Sequence, residues 1–200
     1  MKLETKFKKK FSEIFFSINF PFIKKTLRFF FQFYPTPSEF TYGIGSRCFD
    51  GQYVGFGDYD NLELEEVVEE LKERQQFFDL GSIYIFQTEK NGFHFICLDK
   101  KSLRNWFNIL KSTSADPSFI YSIKLFQNRE WILRFAEKGE REKPKYVCGL
   151  IKKPKKNSIV SLAHKTFLKN YYGVNEFSSQ LDDGITELSV IKYNTANRLK

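Results

Sequence analysis

The sequence predicts an α+β fold built on a β-α-β-β-α-β core of the ferredoxin-like type, with an extension at each end. Three observations predict it. A β-prone run at Tyr53, Val54 and Phe56 leads into Asp58-Tyr59-Asp60, and an amphipathic helical pattern begins directly after it. Two apolar strands then follow, joined by Asn91-Gly92, the signature of a tight hairpin. The 200 residues suit one domain with terminal extensions, and a 42% hydrophobic content is enough to build its core. The expected divisions are an N-terminal extension at 1–37, the core at 38–150 and a C-terminal extension at 151–200.

Residues 2–34 read as one or two helical or mixed segments divided at Pro21, because proline removes a donor and disfavours helix at the residue before it. Pro35-Thr36-Pro37-Ser38 punctuates the chain and sets the start of the core. Gly43, Gly45 and Gly51 mark turns leading into the first core strand, which ends at Asp60. The following helix carries Leu62, Leu64, Val67, Val68, Leu71 and Phe78 as its apolar stripe. Glu63, Glu65 and Glu66 near its start suit the helix dipole, and Gly81 is expected to end it. Strands at 83–86 and 93–98 flank the hairpin turn, and a second helix covers 100–111 with Leu103, Trp106, Phe107 and Leu110 at helical spacing. A loop with Asp116-Pro117, a short helix or strand at 119–126 and a strand at 131–135 complete the core. The stretch 146–150 then reads as a strand at the end of the core, and the extension after it as a basic, solvated loop at 152–157, an amphipathic helix at 161–172 and a strand-like segment at 185–193.

This element order is that of RRM-type folds, whose sheet has the spatial order 4-1-3-2 with antiparallel neighbours. The end of the first strand should then lie beside the starts of the third and fourth. Asp58 and Asp60 close the first strand, His94 opens the third, and the loop with Asp116 leads toward the fourth. Side chains alternate along a strand, so Asp58 and Asp60 should share a face with Tyr59 on the other. Paired carboxylates repel unless a cation lies between them, and hard oxygen donors favour Mg²⁺ or Mn²⁺. The plainer reading of Asp-Tyr-Asp-Asn is a polar turn at a strand end.

Composition narrows the classes. A net charge of +8 favours an anionic partner. Three distant cysteines and two histidines give no zinc spacing, and the cysteine usage fits a reducing, intracellular compartment, cytoplasmic in a cell or in the host of a virus. Residues 11–34 are interrupted by Glu13, Lys24, Lys25 and Arg28, too charged to span a bilayer, and no membrane partner is expected. There is no phosphate loop of the G-x-x-x-x-G-K-[ST] type, so a nucleoside-triphosphatase motor is not expected. Cys97 should face away from His94, which disfavours a Cys-His nucleophile, and His164 has no evident partner and reads as structural.

Taken together, the motifs resemble the archaeo-eukaryotic primase (primase-polymerase) superfamily. Asp58-Tyr59-Asp60 resembles its acidic strand motif. Thr88-Glu89-Lys90-Asn91-Gly92-Phe93-His94 resembles the glycine-containing approach to its histidine. Ala115-Asp116-Pro117 resembles its third acidic element, and Ile132-Leu133-Arg134-Phe135 its L-R-hydrophobic strand. The match spans residues 53–138. Thr88 and Asn91 stand where many members have serine and arginine, and the zinc module of the cellular primases has no counterpart here.

The resemblance implies a stand-alone DNA primase-like nucleotidyltransferase of a plasmid, virus or other mobile element. Asp58, Asp60 and Asp116 would bind two divalent metals, Mg²⁺ or Mn²⁺. His94, Lys90, Thr88 and Arg134 would contact the nucleotide. The partners would be a single-stranded DNA template, NTP or dNTP, and a separate helicase or replication protein. The rival from another class is a non-catalytic RRM-like module that binds single strands through exposed sheet aromatics. A third reading is an interaction protein whose carboxylates are turn residues.

Overall fold

A computed structural model of the chain describes residues 40–123, 129–152, 159–177 and 181–194, and the backbone of two strands near the N-terminus. The chain divides into two compact units, the second spanning Glu39–Asn197. In the first, β1 (Ser12–Phe20) and β2 (Lys25–Phe33) form an antiparallel hairpin with Ser12 opposite Phe33 and Phe20 opposite Lys25. The helical reading of this stretch is corrected to strand in its described parts. The alternation Ile14, Phe16, Ile18, Phe20 has the period of a strand, and phenylalanine and isoleucine fit a pleated surface better than a helix. The basic start, Pro21 and the Pro35–Ser38 punctuation lie outside the described residues.

The second unit begins with β3 (Phe40–Gly45), a strand at the place where the glycines suggest turns. Gly45 is there because the room for its Cβ is filled by the Glu130 carboxylate. The chain then turns through 46–52 into β4 (Tyr53–Asp60), with Arg47 bridged to Tyr53. Next come α1 (Leu64–Phe77), β5 (Ile83–Glu89), β6 (Gly92–Lys101), α2 (Leu103–Lys111) and α3 (Pro117–Ser122). They are followed by β7 (Ile132–Arg134), β8 (Lys145–Leu150), β9 (Ile159–Val160), α4 (Leu162–Tyr172), β10 (Leu181–Asp182) and β11 (Val190–Asn194).

Each helix start has a local cause. The backbone N–H of Glu63 donates to Glu66 Oε2 at 2.9 Å ahead of α1, and Ser102 Oγ accepts from Asn105 N at 3.2 Å at the start of α2. α1 stops at Phe77, short of Gly81. α4 ends on Gly173 at φ 69°, the left-handed cap that glycine adopts without strain.

β4, β6, β5 and β8 lie side by side in that order, all antiparallel. The first, third and second core strands therefore stand in the expected 1-3-2 order. The fourth does not join them. β7 pairs with β3 in a separate three-stranded sheet, β11-β3-β7, with Arg134 opposite Gly43. Instead β8 extends the main sheet beyond β5, and β9 reaches β6 at Asp99 and pairs in parallel with β10. The stretch after Leu150 is thus woven into the same unit through β9, α4, β10 and β11; residues 153–157 of the basic loop lie outside the described residues.

The sheet is packed on both faces. On one, Gly55 and Gly57 leave room for the rings of Trp106 and Phe95, and the indole Nε1 donates to Tyr53 O at 2.8 Å. On the other, α4 lies across β4 and β5, with His164 edge-on to Phe56 and Tyr172 against Phe86 at 4.5 Å between ring centroids. A Cβ on Gly55 would lie 2.3 Å from the Trp106 ring, so the indole or the strand must move. Gly55→Ala should cost roughly 1–3 kcal/mol, the usual penalty for overpacking, read as a lower urea midpoint.

Candidate active site at the sheet edge

β4 carries its carboxylates to the end where β6 begins. Asp58 pairs with His94 and Asp60 with Gly92, and residues opposite each other in an antiparallel pair share a face. The backbone carbonyl of Asp58 points away from β6, because it accepts the amide N–H of Asp116 at 2.7 Å. Asp58 and His94 therefore form a non-hydrogen-bonded pair, the kind whose side chains approach most closely. Their side chains meet: His94 Nε2 stands 3.4 Å from Asp58 Oδ1, both nearly buried. Tyr59 points to the opposite face and is fully buried there, where burial pushes its phenol pKa upward. Phe93 and Phe95 share that face, so His94 stands apart from them as the alternation requires.

Asp60 is exposed at the strand end, on the Asp58 face. Beside it the β5–β6 hairpin turns through Lys90 and Asn91, and Glu89 is paired with Gly92. Thr88 sits over Gly92, its Oγ1 only 2.7 Å from where a Cβ would be. Lys90 is exposed at the tip, and its carbonyl accepts from Gln87 Nε2 at 3.3 Å. Asn91 holds the turn to the start of α1 by donating from Nδ2 to Glu63 Oε1 at 2.9 Å.

Asp116 reaches this edge by the loop after α2. Its backbone is anchored on Asp58, and its Oδ1 caps α3, accepting from Ser118 N at 2.9 Å and Ser118 Oγ at 2.8 Å. Asp58, Asp60, His94, Thr88, Lys90 and Asp116 are thus gathered at one corner. Asp99, the carboxylate on β6, lies at the far end of that strand from His94 and accepts from Gly81 N at 2.7 Å.

Arg134 arrives differently. It is buried on β7, and its Nη1 donates to the carbonyls of Ala136 and Glu142, both at 2.8 Å. It ties down the loop between β7 and β8 and stands near Tyr172, whose phenol is pushed up by burial and drawn down by this guanidinium.

The donor set fits a hard divalent cation in part. Asp58 and Asp60 offer carboxylate oxygens from one face, two residues apart. Among the described residues no three His, Cys, Asp or Glu side chains converge as a metal-binding group. Asp116 would add a third carboxylate through Oδ2, or through Oδ1 once it leaves the Ser118 cap.

The sequence passed over the aromatic residues beside His94. Phe86 is its partner on β5 and is fully buried under Tyr172 and Tyr146. The Tyr171-Tyr172 doublet ahead of Gly173 was the available signal. Phe56, Tyr84 and Phe86 are each 0–1% exposed, so these aromatics of the Asp58 face belong to the core and not to an open binding surface. His164 is buried between Ser161 and Gly45, a structural role. The three cysteines are free thiols. Among the described residues no helix is long and apolar enough to cross a membrane. Comparison with protein-family models, with curated proteins and with solved structures gives no match to this chain.

Proposed function

We propose that the chain is a primase-polymerase-like nucleotidyltransferase that makes or extends a strand on a single-stranded DNA template from NTPs or dNTPs. One observation carries the reading: Asp58 meets His94 across the ladder while its carbonyl holds the Asp116 amide. Residues far apart in sequence, each expected to serve the same chemistry, converge on one strand end.

In this reaction a 3′-oxygen attacks the α-phosphorus of the nucleotide, the bond to pyrophosphate breaks, and the hydroxyl proton leaves to water. Asp58 and Asp60 would hold Mg²⁺ or Mn²⁺, which when bound supplies Lewis-acid stabilisation of the charge that develops on phosphorus. His94 is oriented by Asp58 and donates toward the triphosphate. Thr88 and Lys90 offer a hydroxyl and an ammonium from the hairpin above the same edge. The buried Phe86–Tyr172 contact beside His94 keeps water from one side of the site. A separate helicase or replication protein would supply the single strand.

The test is incorporation of labelled NTPs or dNTPs on a single-stranded template, with and without primer, in Mg²⁺ or Mn²⁺. Template-dependent product is expected. Binding of the single strand with no incorporation under any of these conditions would replace the enzyme with a binding module.

A further inference from the structure

The loop between β7 and β8 emerges at the same end of the sheet as the carboxylates, on the side away from β4, since Lys145 at the start of β8 stands opposite Gln87 near the end of β5. The loop is built to hold a shape. Lys138 and Arg141 exchange backbone hydrogen bonds around a turn with Gly139 at φ 57°, and Arg134 fastens both limbs by its bonds to Ala136 and Glu142. It presents Arg141, Lys143 and Lys145, all exposed. Arg141 lies 3.5 Å from Glu89 of the hairpin, and Lys145 pairs with Glu142; exposed pairs of this kind are weak and exchange readily for phosphate.

Beside these cations lies an aromatic run. The Lys143 ammonium sits 5.4 Å from the centre of the Tyr171 ring, which stacks on Phe167 at 5.2 Å and 9°. Tyr171 contacts Tyr172 at 4.9 Å, and Tyr172 contacts Phe86, the neighbour of His94. A lysine above a partly exposed ring, with Arg141 toward the hairpin, is the combination that binds single strands: phosphates to the charges, a base to the ring.

We propose that Arg141, Lys143 and Tyr171 form the track along which a single-stranded polynucleotide runs to the Asp58–His94 edge. The proposal rests on the nucleotidyltransferase reading. A phosphate that draws Lys143 off the Tyr171 ring uncovers it for a base. Arg134 is the positioning residue beneath the loop, and the phosphate contacts expected of it fall to Arg141 and Lys143.

The test is fluorescence anisotropy of a labelled oligothymidylate of about twenty nucleotides across a salt series, using the full chain. Arg141→Ala/Lys143→Ala should weaken binding about tenfold at low salt. It should also flatten the plot of log K against log salt by about 1.4, two phosphates at roughly 0.7 each. Tyr171→Ala should weaken binding about fivefold or more without changing that slope. Arg141 and Lys143 are exposed, whereas Tyr171 also packs on Phe167 and donates from its hydroxyl to Phe135 O at 3.1 Å, so circular dichroism of both variants is compared with the wild type to check that they fold.

Wild-type affinity and slope in the double variant would overturn the track. If Asp60→Asn still abolished incorporation in that case, the enzyme reading would stand without it. Loss of binding in the loop variants, with a wild type that never incorporates, would keep the track and end the enzyme reading. A wild type that does not bind the oligonucleotide at low salt would overturn both.

Discussion

Asp60→Asn should abolish nucleotide incorporation, by about a thousandfold or more, while leaving the protein as stable as the wild type. The reason is positional. Asp60 is exposed at the end of β4, so its replacement by an isosteric amide should change folding by no more than about 0.5 kcal/mol. Yet it shares a face with Asp58, and the amide removes half of that pair's negative charge and one of its four carboxylate oxygens. Asp58→Asn should be equally inactive but less stable, because Asp58 is buried against His94 and the amide leaves that imidazole without its anionic partner. His94→Ala should chiefly raise the KM for nucleotide, about tenfold, if its role is to hold the triphosphate. Incorporation assays beside urea unfolding separate these outcomes. Full activity in Asp60→Asn would return Asp-Tyr-Asp-Asn to its plain reading as a turn.

The elements that the sequence revealed were those determined locally. α1 and α2 carry their own caps and stripes, and the Asn91-Gly92 turn dictates the β5–β6 hairpin whatever surrounds it. From these, the alternation of Asp58, Tyr59 and Asp60 and the placement of His94 opposite them followed, because antiparallel pairing fixes which residues share a face. Asp116 was predicted to approach through the fourth strand of the sheet. It comes instead through a single backbone bond to Asp58 at the edge that such a strand would have taken.

What stayed hidden depends on contacts distant in sequence. β3 contains Gly43 and Gly45, which locally signal turns; only the Glu130 carboxylate lying against Gly45 explains why glycine is needed inside a strand. β7 was recognised as a strand, but strand propensity does not choose a partner, and β3 captured it. That choice moved Arg134 from a sheet edge to the base of a loop. The helix at 161–172 was legible, yet nothing in its pattern said that it would cover the Asp58 face of the sheet and bury the aromatics there.

That covering helix also makes stability depend on pH in a definite direction. His164 is 1% exposed, and its Nε2 stands 2.9 Å from the carbonyl of Gly45, which only accepts, so Nε2 carries the proton. Nδ1 is then the acceptor for Ser161 Oγ at 2.7 Å. The neutral ring is satisfied at both nitrogens, and a second proton would have to displace the serine inside the core. Burial accordingly lowers the pKa to about 4, against smaller opposing effects from the Gly45 carbonyl and Asp183. The unfolded chain takes up this proton near its ordinary value of about 6.5, whereas the folded protein does so only near 4. Between those values the unfolded state binds more protons, so stability falls as pH drops through the window and is fully regained above it. The whole interval is worth about 3 kcal/mol. Urea unfolding of the wild type and of His164→Asn from about pH 7 to about pH 4 measures it, since other groups titrate alike in both. The wild type should start the more stable and lose most of that advantage by the acid end. Parallel curves throughout would mean that His164 takes up its proton alike in the folded and unfolded states, with Nδ1 able to donate to Ser161 Oγ.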